Sequence, residues 1–185
     1  MGKKKPKQIV DEIALADGVS AAYDGASVRL KGPKGEASKD IRATNVSISI
    51  EGKRVILSGK GVSKKEKKAV YSIAAHIKNL LKGVTEGHRY RLKICSGHFP
   101  MNVSVTKNEV VIKNFLGEKF PRTLKIKPNV SVKLDGQEMI VEGPSKELCG
   151  QVSADIEKLT SVRNRDLRIF QDGIYITDKD GKLIK

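Results

Sequence analysis

Residues 45–59 read NVSISIEGKRVILSG, and residues 129–143 read NVSVKLDGQEMIVEG. Laid over one another with a shift of 84, the stretches agree at six of fifteen positions; most other positions exchange one aliphatic for another or Asp for Glu. A repeat of this kind constrains the fold strongly, because each copy must be one supersecondary unit that the chain builds twice. In the first copy Val46, Ile48 and Ile50 alternate with Ser47, Ser49 and Glu51. That period of two marks a strand with one buried face. Gly52-Lys53 and a second β-rich run, Arg54 to Ser58, complete a predicted hairpin. In the second copy Val130, Val132 and Leu134 are expected to face inward, Asp135-Gly136 marks the turn, and Met139 to Val141 return.

A helix is predicted after each hairpin. Ser63-Lys64-Lys65-Glu66 has the form of a capping box, Val70, Ala74, Ile77 and Leu80 recur at helical spacing, and Gly83 closes the run. In the second copy Ser145 is the cap, and Val152, Ile156, Leu159 and Val162 match the first stripe at a shift of 82. Another strand pair is expected before each hairpin: Val19 to Tyr23 with Ser27 to Lys31, and Met101 to Thr106 with Glu109 to Lys113. Each pair leads into a Gly-Glu loop, GPKGE at 32–36 or NFLGE at 114–118. One short sheet with one helix buries little surface alone. The expected fold is therefore α+β, with two tandem duplicated domains, each a small, mostly antiparallel sheet carrying one helix. The domains are residues 1–86 and 87–185, divided near Thr85-Glu86-Gly87.

Charge says what such a chain meets. There are 36 Lys and Arg against 21 Asp and Glu, a net charge of +15. The excess is not a tail, since residues 1–86 carry 18 basic and 9 acidic side chains and residues 87–185 carry 18 and 12. A polyanionic partner along the whole molecule is expected. No apolar run approaches the roughly 18 residues of a membrane span, and the charged start MGKKKPKQIV has no apolar run behind it to make a signal peptide. A soluble, cytoplasmic protein is expected. Cys95 and Cys149 are then free thiols, and the NVS triplets at Asn45, Asn102 and Asn129 are strand sequence rather than glycosylation sites.

An enzyme finds little support. His76 lies beside the first helix's apolar stripe, His88 is read as linker, and His98 sits in SGHFP; none has a metal-ligand or nucleophile-activating spacing. Asp11-Glu12 reads as solvated helix charge, and GPKGE lacks the spacing of a P-loop. No catalytic residue, metal or cofactor is expected. Nucleic acid fits better. Lys64, Lys65, Lys67 and Lys68 crowd a helix start, where cations oppose the helix dipole and a polyanion would relieve them; a solvated lysine face is the alternative. Arg163, Arg165 and Arg168 in RNRDLRIF suit bidentate phosphate contact. The absence of Trp, with only four Phe and four Tyr, argues against a platform for stacking single strands and for recognition of folded RNA by shape and backbone.

Four strings go further: KGPKGE at 31–36, HFP at 98–100, NFLGEK at 114–119 and RNRDLRIFQDGIYI at 163–176. With them nearly the whole chain resembles the universal sixth protein of the large ribosomal subunit, in its archaeal and eukaryotic branch. The longest string is close to that branch's C-terminal signature, departing upstream where Glu157-Lys158 replaces the usual Gln. The resemblance implies a duplicated α+β fold forming an elongated body, and a structural role without catalysis. It also implies binding to 23S-type rRNA beside neighbouring ribosomal proteins, mostly through the C-terminal unit. The implied place is near the subunit interface at the base of the acidic stalk, close to the translational GTPase site. The candidate RNA contacts are Arg163, Arg165, Arg168, Lys179, Lys182, His98, Lys119, Arg122, Lys64, Lys65 and Lys68. Asp172-Gly173 is expected to form a tight turn that holds the arginines on a hairpin base. The alternative function is a non-ribosomal basic scaffold binding an acidic protein.

Overall fold

The computed structural model describes residues 9–41, 45–61 and 63–184. The chain divides into two compact units, the first running to Gly87 and the second starting at His88. In unit 1 the strands are β1 (Val10–Ala14), β2 (Ser20–Tyr23), β3 (Ser27–Gly32), β4 (Gly35–Asp40), β5 (Val46–Glu51) and β6 (Arg54–Gly59), followed by α1 (Lys64–Thr85). They form two antiparallel three-stranded sheets, ordered β1-β6-β5 and β2-β3-β4. In unit 2 the strands are β7 (His88–Cys95), β8 (Asn102–Val105), β9 (Glu109–Lys113), β10 (Arg122–Lys125), β11 (Ser131–Asp135) and β12 (Glu138–Gly143), then α2 (Lys146–Leu159), β13 (Gly173–Lys179) and β14 (Lys182–Leu183). Its sheets are β10-β9-β8 and the five-stranded β11-β12-β7-β13-β14.

The repeat accounts for the helices and hairpins. α1 is capped by Ser63, whose hydroxyl accepts the Glu66 N–H while the Glu66 carboxylate accepts the Ser63 N–H. The two orphan donors of the first turn are thus satisfied reciprocally. α2 is capped by Ser145, which accepts the Leu148 N–H. Val70, Ala74, Ile77 and Leu80 of α1 are buried with Ile73 and Val84, against Val28, Leu30, Val55 and Leu57. The second core holds Leu92, Val110, Ile112, Phe115, Met139, Val141, Val152, Ile156 and Ile174. Both cores are chiefly aliphatic, as the composition demands. The GPKGE turn is pinned to the end of α1: the Lys34 N–H donates to the Val84 carbonyl at 3.0 Å, and a Cβ on Gly32 would stand 2.7 Å from that oxygen.

Several segments differ from expectation. Asp11-Glu12 lies in β1, not in a helix, and Glu12 faces Arg54 across the sheet at 3.5 Å. The stretch from His88, expected as linker, is the central strand of the larger sheet. There His88, Tyr90 and Leu92 are buried and alternate with exposed Arg89, Arg91 and Lys93. Each Gly-Glu loop leads straight into a third strand, β4 or β10, so each is a short connection between strands. Leu134 is 41% exposed rather than inward, and Val162 falls beyond the end of α2, half-buried. The chain contains two late Asp-Gly pairs, and the hairpin uses the second: Asp180 and Gly181 adopt φ of 56° and 86° between β13 and β14. Asp172-Gly173 is not a turn. Asp172 is a buried anchor, and Gly173 opens β13.

Candidate nucleic-acid interface

The arginine segment is the connection from α2 to β13, fastened at both ends. At its start the Thr160 hydroxyl, buried, accepts the Ile174 N–H at 2.9 Å, and Glu157 accepts the Ile176 N–H at 3.2 Å. At its end Asp172, only 3% exposed, reaches the loop after β7. Its Oδ1 accepts the backbone N–H groups of Gly97 and His98, and its Oδ2 meets His98 Nδ1 at 2.6 Å. Burial alone would raise the Asp172 pKa. The backbone and ring N–H groups of His98 and the Gly97 N–H outweigh it and hold the carboxyl below the usual range. Within the loop Asp166 builds a turn: its carbonyl accepts the Ile169 and Phe170 N–H groups, and its side chain accepts the Arg168 N–H at 2.9 Å.

Phe170 joins the parts. Its ring stacks on His98 with centroids 4.5 Å apart, and the Arg165 guanidinium carbon sits 4.8 Å from its centre. Arg163, Arg165 and Arg168 are all exposed, as are Leu167 and Ile169. Three guanidinium groups on a loop tied down at both ends suit phosphate contact with little ordering cost.

The other candidates fall in different settings. Lys179 and Lys182 face one another across the β13–β14 ladder and are exposed. Like charges directly opposite destabilise a hairpin, and a phosphate between them would relieve this. Lys119 is exposed beyond the short 3-10 turn Phe115–Gly117. Arg122 is turned inward: Nε and Nη2 donate to the two Glu118 carboxylate oxygens, Nη1 donates to the Leu159 carbonyl, and the group lies 4.3 Å over the Phe115 ring. The Arg122 guanidinium in turn holds the Glu118 carboxyl below its usual range. Arg122 thus ties β10 to α2, and its outer side lines an open groove of about 450 Å³ shared with Lys158 and Arg163. Lys64, Lys65 and Lys68 are exposed on the first turns of α1, in unit 1. His98 is partly exposed, its ring fixed by Asp172 and Phe170.

Sequence reasoning missed Phe170 and Asp172 as the parts that organise the loop. A lone Asp before Gly carries the same pattern whether it turns the chain or accepts three N–H groups from a loop about 75 residues away. Among the described residues no cluster of His, Cys, Asp and Glu could hold a metal ion, and no helix is long and apolar enough to cross a membrane. Asp172 fixes the orientation of the His98 ring.

The family model for ribosomal protein L6 matches residues 15–87 and 99–173, one stretch in each unit. The chain is 42% identical over 176 residues to the large ribosomal subunit protein uL6 of Methanococcus vannielii, covering 95% of this chain and 97% of that protein. It is 41% identical over 173 residues to uL6 of Methanothrix thermoacetophila, covering 94% and 98%. Against uL6 of Natronomonas pharaonis it is 40% identical over 167 residues, covering 90% and 94%. Two tandem units matched in turn, and archaeal relatives aligned nearly end to end, place the chain in the ribosomal protein L6 family.

Proposed function

We propose that the chain is held in the large ribosomal subunit by rRNA, and that unit 2 makes most of the contact through Arg163, Arg165 and Arg168. As a member of its family the chain is a structural component of the large subunit of the cytoplasmic ribosome, not an enzyme. The observation that carries the rRNA reading is the loop from Thr160 to Asp172: clamped at both ends, it holds three arginines outward. Lys119, Lys179 and Lys182 extend the same cationic character over unit 2, with Arg122 serving the fold more than the RNA. Lys64, Lys65 and Lys68 offer a weaker second contact, each a flexible point charge with a solvated alternative. Neighbouring ribosomal proteins complete the set of partners. The place in the subunit is the base of the acidic stalk, near the subunit interface and the translational GTPase site.

A filter-binding titration with large-subunit rRNA fragments at two salt concentrations tests this. Each lost phosphate contact lowers the salt slope by about one unit. Replacing Arg163, Arg165 and Arg168 together by Ala is expected to weaken binding and flatten the slope more than replacing Lys64, Lys65, Lys67 and Lys68. A greater loss in the lysine variant moves the principal RNA face to unit 1. Salt-insensitive binding, or an equal preference for an acidic protein, favours the scaffold alternative. Crosslinks mapped on assembled subunits test the location.

A further inference from the structure

We propose that the cavity beside His98 receives one unstacked nucleobase of the bound RNA, so that the arginine loop grips phosphates while the cavity takes a base. This rests on the rRNA reading above and names a second kind of contact within it. The cavity is open and measures about 620 Å³, within the size range of sites that bind small flat ligands. Cys95, His98, Ile169, Gln171, Asp172 and Tyr175 line it. Ile169 is 62% exposed and Tyr175 40%, so the wall of the cavity shows apolar surface to the outside. That surface lies within the segment that carries the three arginines. A loop that met only phosphate would have no use for it. A nucleobase has apolar faces, polar edges and its own phosphate a few ångströms away, and so matches both halves of the site.

The details agree with a base rather than an acidic peptide. The His98 ring in the wall is backed by the Phe170 ring, which in turn carries the Arg165 guanidinium. Both Asp172 oxygens are engaged by Gly97 and His98, so the carboxylate is compensated and its charge is turned away from an incoming phosphate. Asp172 holds His98 by Nδ1, and no described residue meets Nε2, which is left for the edge of a base. The ring is fixed before the ligand arrives, so little rotamer freedom is lost on docking. The chain's scarcity of aromatic residues excludes a long stacking platform, yet the fold brings two rings, His98 and Tyr175, to this cavity, with Phe170 packed behind His98. One slot needs no more.

The test uses the full chain and an rRNA fragment of the large subunit. Cys95 is half-buried and lines the cavity, whereas Cys149 is fully buried and burial pushes its thiol up to about 11. A small maleimide therefore reports on Cys95 alone. Saturating rRNA is expected to slow Cys95 labelling about tenfold, the scale of one base–aromatic stack. Heparin and fully paired RNA, which supply charge without free bases, are expected to leave labelling unchanged. In parallel, Tyr175→Ala is expected to weaken rRNA binding about tenfold with the salt slope unchanged, because the lost contact is not ionic. Steep salt-dependent rRNA binding with undiminished labelling overturns the base slot and leaves the rRNA reading standing. Equal protection by heparin does the same. Protection by polyglutamate as strong as that by rRNA overturns the slot in favour of an acidic protein segment. Failure of the native chain to bind rRNA overturns both readings.

Discussion

The two units follow one plan to the end of their helices and then part. In unit 1 the sheet β1-β6-β5 has β1 as its edge strand. The matching strands of unit 2 are β7, β12 and β11, but β7 is no edge, because β13 and β14 are added on its other side. To reach that side the chain must return from the end of α2, and the path of return is the arginine loop. The segment with the densest guanidinium charge, beside the cavity at His98, thus exists because unit 2 carries an extra hairpin. Duplication supplied two similar scaffolds, and the added strands gave one of them a clamped loop. Unit 1 has no counterpart among its described residues.

The largest expected effect follows directly. Ending the chain at Asp172 removes β13, with Ile174 fully buried and Ile176 nearly so. Each buried Ile contributes about 1.5–3 kcal/mol, and the sheet also loses a whole ladder, against a total stability of roughly 5–15 kcal/mol for a domain. Unit 2 is expected to unfold while unit 1 stays folded. Hydrogen exchange read by mass spectrometry should show amide protection lost over 88–172 and kept over 9–87. Protection lost in both would mean that the units are one cooperative body.

A smaller change attacks the same hairpin at one point. His88 starts β7 with its side chain wholly buried, and Nδ1 lies 3.1 Å from the Asp180 carboxylate at the β13–β14 turn. The Asp180 N–H also donates to the Arg89 carbonyl. His88→Ala leaves a cavity under the start of β7 and removes the ring beside Asp180, at a cost of about 2–5 kcal/mol. Urea denaturation should show the loss in unit 2 only, since His88 and Asp180 both belong to it. A change under 1 kcal/mol would separate the added hairpin from the stability of β7.

Where the repeat spoke, the sequence was legible. Both helix starts with their serine caps and both repeat hairpins lie where period and capping residues put them, because local patterns decide them, whereas the ends shift: Gly83 lies inside α1 and Val162 beyond α2. The repeat itself pointed to the fold class, and the charge pointed to a polyanionic partner. β7 was missed although His88, Tyr90 and Leu92 alternate with three cations, because glycine and charge around it resemble a linker. The arginines were legible as a cluster. What holds them was not: Asp172 reaches Gly97 and His98, and Phe170 reaches His98, across more than 70 residues of chain. Contacts at that separation leave no local period. The ties of Arg122 were hidden only in part: Glu118 is four residues away, but its carbonyl partner Leu159 is 37.

Asp24 in unit 1 and Asp172 in unit 2 are both held below the usual carboxylate range, by different means. Asp24, in the exposed turn between β2 and β3, accepts the Ser27 and Ala26 N–H groups and the Ser27 hydroxyl, with Arg29 at 3.6 Å. Asp172 does so buried, against its own desolvation. Both folded pKa values lie below the unfolded ones. The stability they give is therefore present above the unfolded carboxylate pKa and lost as pH falls through the depressed folded value. Asp172→Asn leaves buried N–H donors with a poorer acceptor, at about 1–3 kcal/mol. Asp24→Asn should cost less, since water replaces the lost acceptor. Acid unfolding followed by circular dichroism should show a shallower loss below pH 4 in Asp172→Asn than in the native chain. A larger flattening in Asp24→Asn would reverse the ranking of the two anchors.

The smallest difference sits at the helix starts. α1 opens Lys64-Lys65-Glu66-Lys67-Lys68, whereas α2 opens Lys146-Glu147-Leu148. The first N–H groups of a helix carry partial positive charge, so an exposed cation there costs about 0.3–1 kcal/mol and an anion gains a similar amount. Of the four lysines at this start, Lys67 has a ring beneath it, with Nζ 5.9 Å from the Tyr71 centroid. Lys65→Glu is thus expected to raise the stability of unit 1 by about 0.5–1 kcal/mol. The same change at Lys146, beside Glu147, is expected to do less, since it adds a second acid to a turn that already has one. Thermal melts at low and at high salt separate the effects, because salt screens the dipole term. The variant also sharpens the functional comparison. If Lys65→Glu stabilises the free chain yet leaves the rRNA salt slope intact, the α1 lysines are a solvated face and RNA contact belongs to unit 2. A slope that falls by one unit or more gives unit 1 a share of the RNA, and the unfavourable helix start then has a partner that relieves it.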